Sequence, residues 1–105
     1  MSDEEKVEGI SLASVDSLTL LQTFIGALAS KAWVTMGLMP GTEGKVKADL
    51  AQARIAIDGV AALADVVERH SEDAKVKGEL RDLVATLRMN YVNQSGRGSA
   101  EKAEE

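Results

Sequence analysis

Residues 18–39 hold a single charged side chain, Lys31, in a chain in which 28% of residues are charged. No other feature limits the fold as tightly, because a helix that is apolar nearly all round must be covered nearly all round. One cover is lipid, since about 20 apolar residues at ~1.5 Å each span a bilayer. Lys31 lies past the middle of the run, however, and Thr19, Gln22, Thr23, Ser30 and Thr35 dilute it. A central lysine costs roughly 2.5–3.5 kcal/mol on insertion. Ala27-Leu28-Ala29 has the small-residue spacing of an export cleavage site, but acidic residues precede the run where an export signal carries Lys or Arg. Membrane association is therefore not expected, and the run reads as a helix of a cytoplasmic protein covered by other protein.

The rest of the chain supplies little with which to cover it. With 105 residues there is room for one domain. A core of that size is marginal without staples, and the absence of cysteine removes disulfides, thiolate nucleophiles and thiolate metal sites together. Net charge is −5, with Asp3, Glu4, Glu5 and Glu8 crowding the N-terminal end. No nucleic-acid partner is expected, since phosphate binding needs a clustered basic face.

Periodicity divides the chain into an acidic tail over residues 1–13, a three-helix domain over 14–93 and a second tail over 94–105. Both tails carry too little apolar surface to offset the entropy of ordering them and are expected to be disordered. The first helix starts at Asp16 or Ser17, either of which can accept from a free first-turn N–H. It is expected to stop at Met39-Pro40-Gly41, where proline bars continuation. A connector, GTEGKVK, leads to a second helix starting at residues 47–49, with the seam Leu50, Ala53, Ile57, Val60, Ala64 and Val67. Ser71, followed by Glu72 and Asp73, is the expected cap of a third helix with the seam Val76, Leu80, Leu83, Leu87 and Tyr91. The fold class is all-α: a long apolar first helix packed on an antiparallel helical hairpin.

The first helix has more than one apolar face. Leu18, Leu21, Ile25, Leu28, Ala32, Met36 and Met39 suit packing on the hairpin. Phe24, Ala27, Val34 and Leu38 make another line, interrupted by Lys31, and Thr19, Thr23, Gly26, Ser30, Trp33 and Gly37 form a stripe of mostly small residues. A three-helix monomer covers one face, and soluble monomers rarely leave a contiguous apolar patch in water. The expectation is a homo-oligomer joined through Phe24, Gly26, Ser30, Trp33, Val34, Gly37 and Leu38, with the small residues letting backbones approach. A second reading places a small apolar ligand in a pocket around Trp33 and Lys31 between first helices.

Three segments carry a family resemblance: Met36-Gly37-Leu38-Met39-Pro40, then Leu50-Ala51 with Ala53, Ile57-Asp58 and Leu63, then Leu87-Arg88-Met89 with Tyr91-Val92. The chain resembles a small bacterial family known as a domain of unknown function, DUF1844, from about Leu20 to Val92. Its connector before the third helix, Glu68-Arg69-His70-Ser71, departs from the Lys-Thr-rich, Gly-Asn-containing segment usual there. The resemblance implies a short, cytoplasmic, all-helical protein and brings no catalytic residue with it.

Candidate chemistry is sparse, and no catalytic residue, metal or cofactor is expected. His70 is the only histidine, and a metal site needs three or four converging ligands. Lys31 could serve as an activated amine, but a lysine in an apolar run more often lays its stem on apolar surface with the ammonium in water. Arg88, beside Asn90 and Tyr91, could bind an anion, though an ion pair with Asp58 or Asp65 is the commoner fate of such a residue. GTEG lacks the phosphate-loop arrangement and follows no strand.

Overall fold

The computed structural model describes residues 6–7, 10–38 and 48–104. Three helices make up the domain: α1 over Ser17–Met36, α2 over Leu50–His70 and α3 over Ala74–Glu104. Ahead of them, β1 (Lys6–Val7) pairs antiparallel with β2 (Ile10–Ser11), with Val7 opposite Ile10.

Each helix starts where a short acidic side chain can accept from a free amide. Asp16 accepts from the Thr19 N–H at 3.2 Å, and Asp49 accepts from the Gln52 N–H at 3.1 Å. At α3 the expected cap, Ser71, gives way to Asp73, whose Oδ1 accepts from the N–H groups of Lys75 at 2.9 Å and Val76 at 3.3 Å. Ser71 Oγ instead accepts from the Asp73 N–H at 3.2 Å, a local turn that sets up the cap.

The end of α1 also differs from expectation. The helix stops at Met36, before proline can act, because Gly37 turns into the left-handed region at φ 80°. The Gly37 N–H donates to the Val34 carbonyl at 3.0 Å and the Leu38 N–H to the Trp33 carbonyl at 2.9 Å, the paired bonds of a Schellman end. The expected stop at Met39-Pro40-Gly41 and the connector lie outside the described residues. Secondary structure also enters both segments assigned to tails, as the β1–β2 ladder and as the continuation of α3 to Glu104. The C-terminal continuation has a simple cause: adding a residue to an existing helix is far easier than starting one, and Ala100, Glu101, Lys102, Ala103 and Glu104 are strong helix formers.

The connections fix an up-down-up bundle. The Asp49 N–H donates to the Thr35 carbonyl at 2.7 Å, joining the end of α1 to the start of α2. Further along, a Cβ on Gly59 would lie 3.1 Å from Leu28 Cδ1, so the two helices run antiparallel and touch where the glycine leaves room. Residues 71–73 reverse the chain into α3. Near its far end the Gln94 side-chain amide donates to the Met36 carbonyl at 2.9 Å, so α3 runs parallel to α1 and satisfies an orphan carbonyl at that helix's end.

The core lies on the expected seams. Ile25, Ala32 and Met36 from α1, Ala53, Ile57, Val60, Ala64 and Val67 from α2, and Leu80 and Leu87 from α3 are buried, with Leu18, Leu21, Leu28, Leu50, Val76, Leu83 and Tyr91 packed around them. Ala29 and Ala56 complete the buried set, so five of its twelve hydrophobic members are alanines. Small side chains let α1 and α2 lie close together, but they remove little apolar area from water, at about 25 cal/mol per Å².

Candidate interaction surface

Packing on the hairpin consumes one side of α1. Ile25, Ala29, Ala32, Thr35 and Met36 are buried there, with the Thr35 hydroxyl satisfied by the carbonyls of Lys31 at 2.8 Å and Ala32 at 3.1 Å. Among the described residues the other side is more open. Leu20, Phe24, Ala27, Lys31 and Val34 follow one another in steps of four and three, the spacing that keeps side chains on one helix face, and Leu38 follows just past the helix end. Phe24, Ala27, Lys31 and Leu38 are exposed, and Leu20 and Val34 are half-buried. Phe24 on α1 and Leu38 just past its end each keep 38% of their surface in water, less than Ile55, Met89 and Val92 on the other helices.

The seven residues expected at a contact between chains divide in two. Phe24, Gly26, Ser30 and Leu38 are exposed and Val34 is half-covered, all available from outside. Trp33 packs against the core, and Gly37 is the left-handed cap, so both have roles inside the chain. Gly26 has none, since a Cβ built on it meets nothing within 4 Å. Leu20, Ala27 and Lys31 belong with the outer row but were missing from the expected set. Their spacing was visible in the sequence, whereas the side that α2 would cover was not.

The remaining candidates take up ordinary positions. Lys31 is exposed, and Trp33, two residues on, faces the core instead, so a single chain does not bring them into one pocket. His70 is exposed in the last turn of α2 beside Arg69, where cations complement the helix dipole. Among the described residues no three His, Asp or Glu side chains are placed to hold a metal ion.

Arg88 differs from expectation. It lines a groove of about 270 Å³ between α2 and α3 with Arg54, Ile57, Asp58, Tyr91 and Val92, yet it makes no salt bridge among the described residues. Asp65 pairs with Arg69 one turn along α2 at 3.2 Å, and Glu68 pairs with Arg81 across the hairpin at 2.5 Å. Both pairs involve exposed groups and add little to stability.

Fold and surface together define a small three-helix protein with exposed apolar side chains on α1 (Phe24) and on α2 and α3 (Ile55, Met89 and Val92), and among the described residues no helix is long and apolar enough to cross a membrane. The chain belongs to the family described as Domain of unknown function (DUF1844), whose model matches residues 17–93, from the first residue of α1 into α3. No curated protein and no solved structure matches it.

Proposed function

We propose that this protein is a non-catalytic, self-associating interaction protein of the cytoplasm whose contact surface is the outward face of α1. The observation that carries this reading is the outer row from Leu20 to Val34, with Leu38 just past its end, on a helix whose opposite side already forms the core. Two further features support it. The core is small and rich in alanine, so a second buried surface would add to a modest first one. Gly26 lowers helix propensity by about 1 kcal/mol relative to alanine with no packing role inside the chain, a cost that close approach of another backbone would offset. The absence of cysteine suits a reducing compartment.

Sedimentation equilibrium on the full chain from micromolar to millimolar concentration tests the reading. The expected result is a mass that rises with concentration to a defined multiple of 11.1 kDa. A monomer across the whole range would overturn it.

A further inference from the structure

The groove between α2 and α3 gathers the arginines that have no ion pair among the described residues. Arg54 and Arg88 line this space of about 270 Å³, while Arg69 and Arg81 pair with Asp65 and Glu68. Neither Arg54 nor Arg88 makes an ion pair or side-chain hydrogen bond among the described residues, in a chain with 17 acidic residues against 12 Lys and Arg. Asp58 shares the groove and is unpaired in the same sense.

One local pattern builds both walls. Each starts with an arginine and has its next members three and four residues on, as neighbours on one helix face do: Ile57 and Asp58 after Arg54, Tyr91 and Val92 after Arg88. Because α2 and α3 run antiparallel, the arginines stand toward opposite ends, Arg88 near the level of Asp58 and Arg54 near that of Val92. Ile57 is buried and makes the floor, Tyr91 is half-buried, and Val92 keeps 66% of its surface in water at the rim.

We infer that this groove binds a small organic acid, a single apolar ring carrying one carboxylate. Charge selects the monoanion. Two guanidiniums and the Asp58 carboxylate leave one positive charge, which one carboxylate neutralises, while Asp58 disfavours a second negative charge on the ligand. Each guanidinium also presents its N–H donors in a fork that a carboxylate accepts, so the contact is directional. Size selects the single ring. Four residues of helix rise about 6 Å, and the groove lies just under the ~300–1,000 Å³ of pockets for drug-sized ligands. Lying on Ile57 and Tyr91, the ring takes Val92 out of water. A neighbouring groove of about 330 Å³ is larger, but its Arg81 is already matched by Glu68, which leaves only Arg88 to meet an anion there. The site stands on α2 and α3 and does not depend on the contact proposed for α1.

Phenylacetate is the probe, titrated into the isotope-labelled full chain at low, constant ionic strength, because salt screens exposed charges. Backbone amide and arginine Nε–H signals in heteronuclear NMR report which residues it meets. The expected result is saturable shifts at Arg54, Asp58, Arg88 and Tyr91. Neutral phenylacetamide and ringless acetate should each bind about tenfold more weakly, since charge and apolar contact act together. Arg54→Gln and Arg88→Gln should each weaken phenylacetate by about tenfold and Asp58→Asn should strengthen it. Arg69→Gln and Arg81→Gln, at arginines outside the groove, should leave it unchanged. All five positions are exposed, and the spectrum of each variant confirms its fold. Equal binding of phenylacetamide would overturn the anion site and leave an apolar crevice, and equal binding of acetate would reduce it to a counter-ion position. Tighter binding of a tetraglutamate peptide would overturn the small acid in favour of an acidic polypeptide. An absence of shifts at the groove up to about 20 mM phenylacetate would overturn the site altogether.

Discussion

At the scale of single residues, the structure moves one role two positions along the chain from where it was expected. The α3 cap is Asp73, because its carboxylate reaches two amides whereas the Ser71 hydroxyl reaches only that of Asp73. Asp73→Ala should therefore cost about 0.5–2 kcal/mol and Ser71→Ala less, as read from urea midpoints at constant slope. Equal losses would return the cap to Ser71. His70-Ser71-Glu72-Asp73 offers several possible acceptors within one turn, and sequence cannot say which has its backbone extended while the next residue turns helical. Glycine shows the same sensitivity to backbone. Gly37→Ala should destabilise by roughly 1–2 kcal/mol, because its φ of 80° brings a Cβ against the following carbonyl. Gly26→Ala should stabilise the isolated chain by about 1 kcal/mol, since its helical position has open space around it. Two Gly→Ala changes of opposite sign in one helix make a sharp check by thermal melting, and a loss of stability at both would contradict the placement of Gly26.

At the scale of the element, α1 was legible where periodicity speaks and obscure where packing decides. Its inner seam, and those of α2 and α3, follow from three-and-four spacing of apolar residues, and the buried set lies on them except for Ala29 and Ala56 beside them. The outer row is equally periodic, but separating it from the small-residue stripe requires knowing that α2 covers Ile25 and Ala29, a tertiary fact. Trp33 shows the difficulty: by spacing it joins Gly26 and Ser30, yet a side chain that large reaches round to the core. Proline similarly drew attention away from Gly37, the residue that ends the helix. For the contact surface, Gly26→Leu combined with Ser30→Leu should lower the assembly mass in light scattering while leaving the helix content of the monomer intact. Lys75→Leu or Arg81→Leu, on exposed positions of α3, should not. If all these variants assembled alike, the α1 face would lose its claim.

At the scale of the whole molecule, two features of α3 separate what the fold needs from what it carries. Residues 97–105 include no apolar side chain larger than alanine, so deleting them should leave the melting temperature nearly unchanged, and a large drop would show that this end docks. Gln94, just before them, is different. It joins two residues 58 positions apart, and at that separation the bond waits for nearly every other part of the fold. During synthesis at about 5–20 residues per second, roughly 3–12 s pass between the emergence of Met36 and that of its partner. For that interval the last turn of α1 has no third helix beside it. A contact formed so late should influence how long the native state lasts and have little bearing on how quickly it is reached. Gln94→Ala is accordingly expected to speed unfolding in stopped-flow denaturant jumps while the refolding limb stays where it was. A slowed refolding limb would mean that the ends of α1 and α3 meet early. The amide of Gln94 would then be a timekeeper of folding instead of its closing stitch.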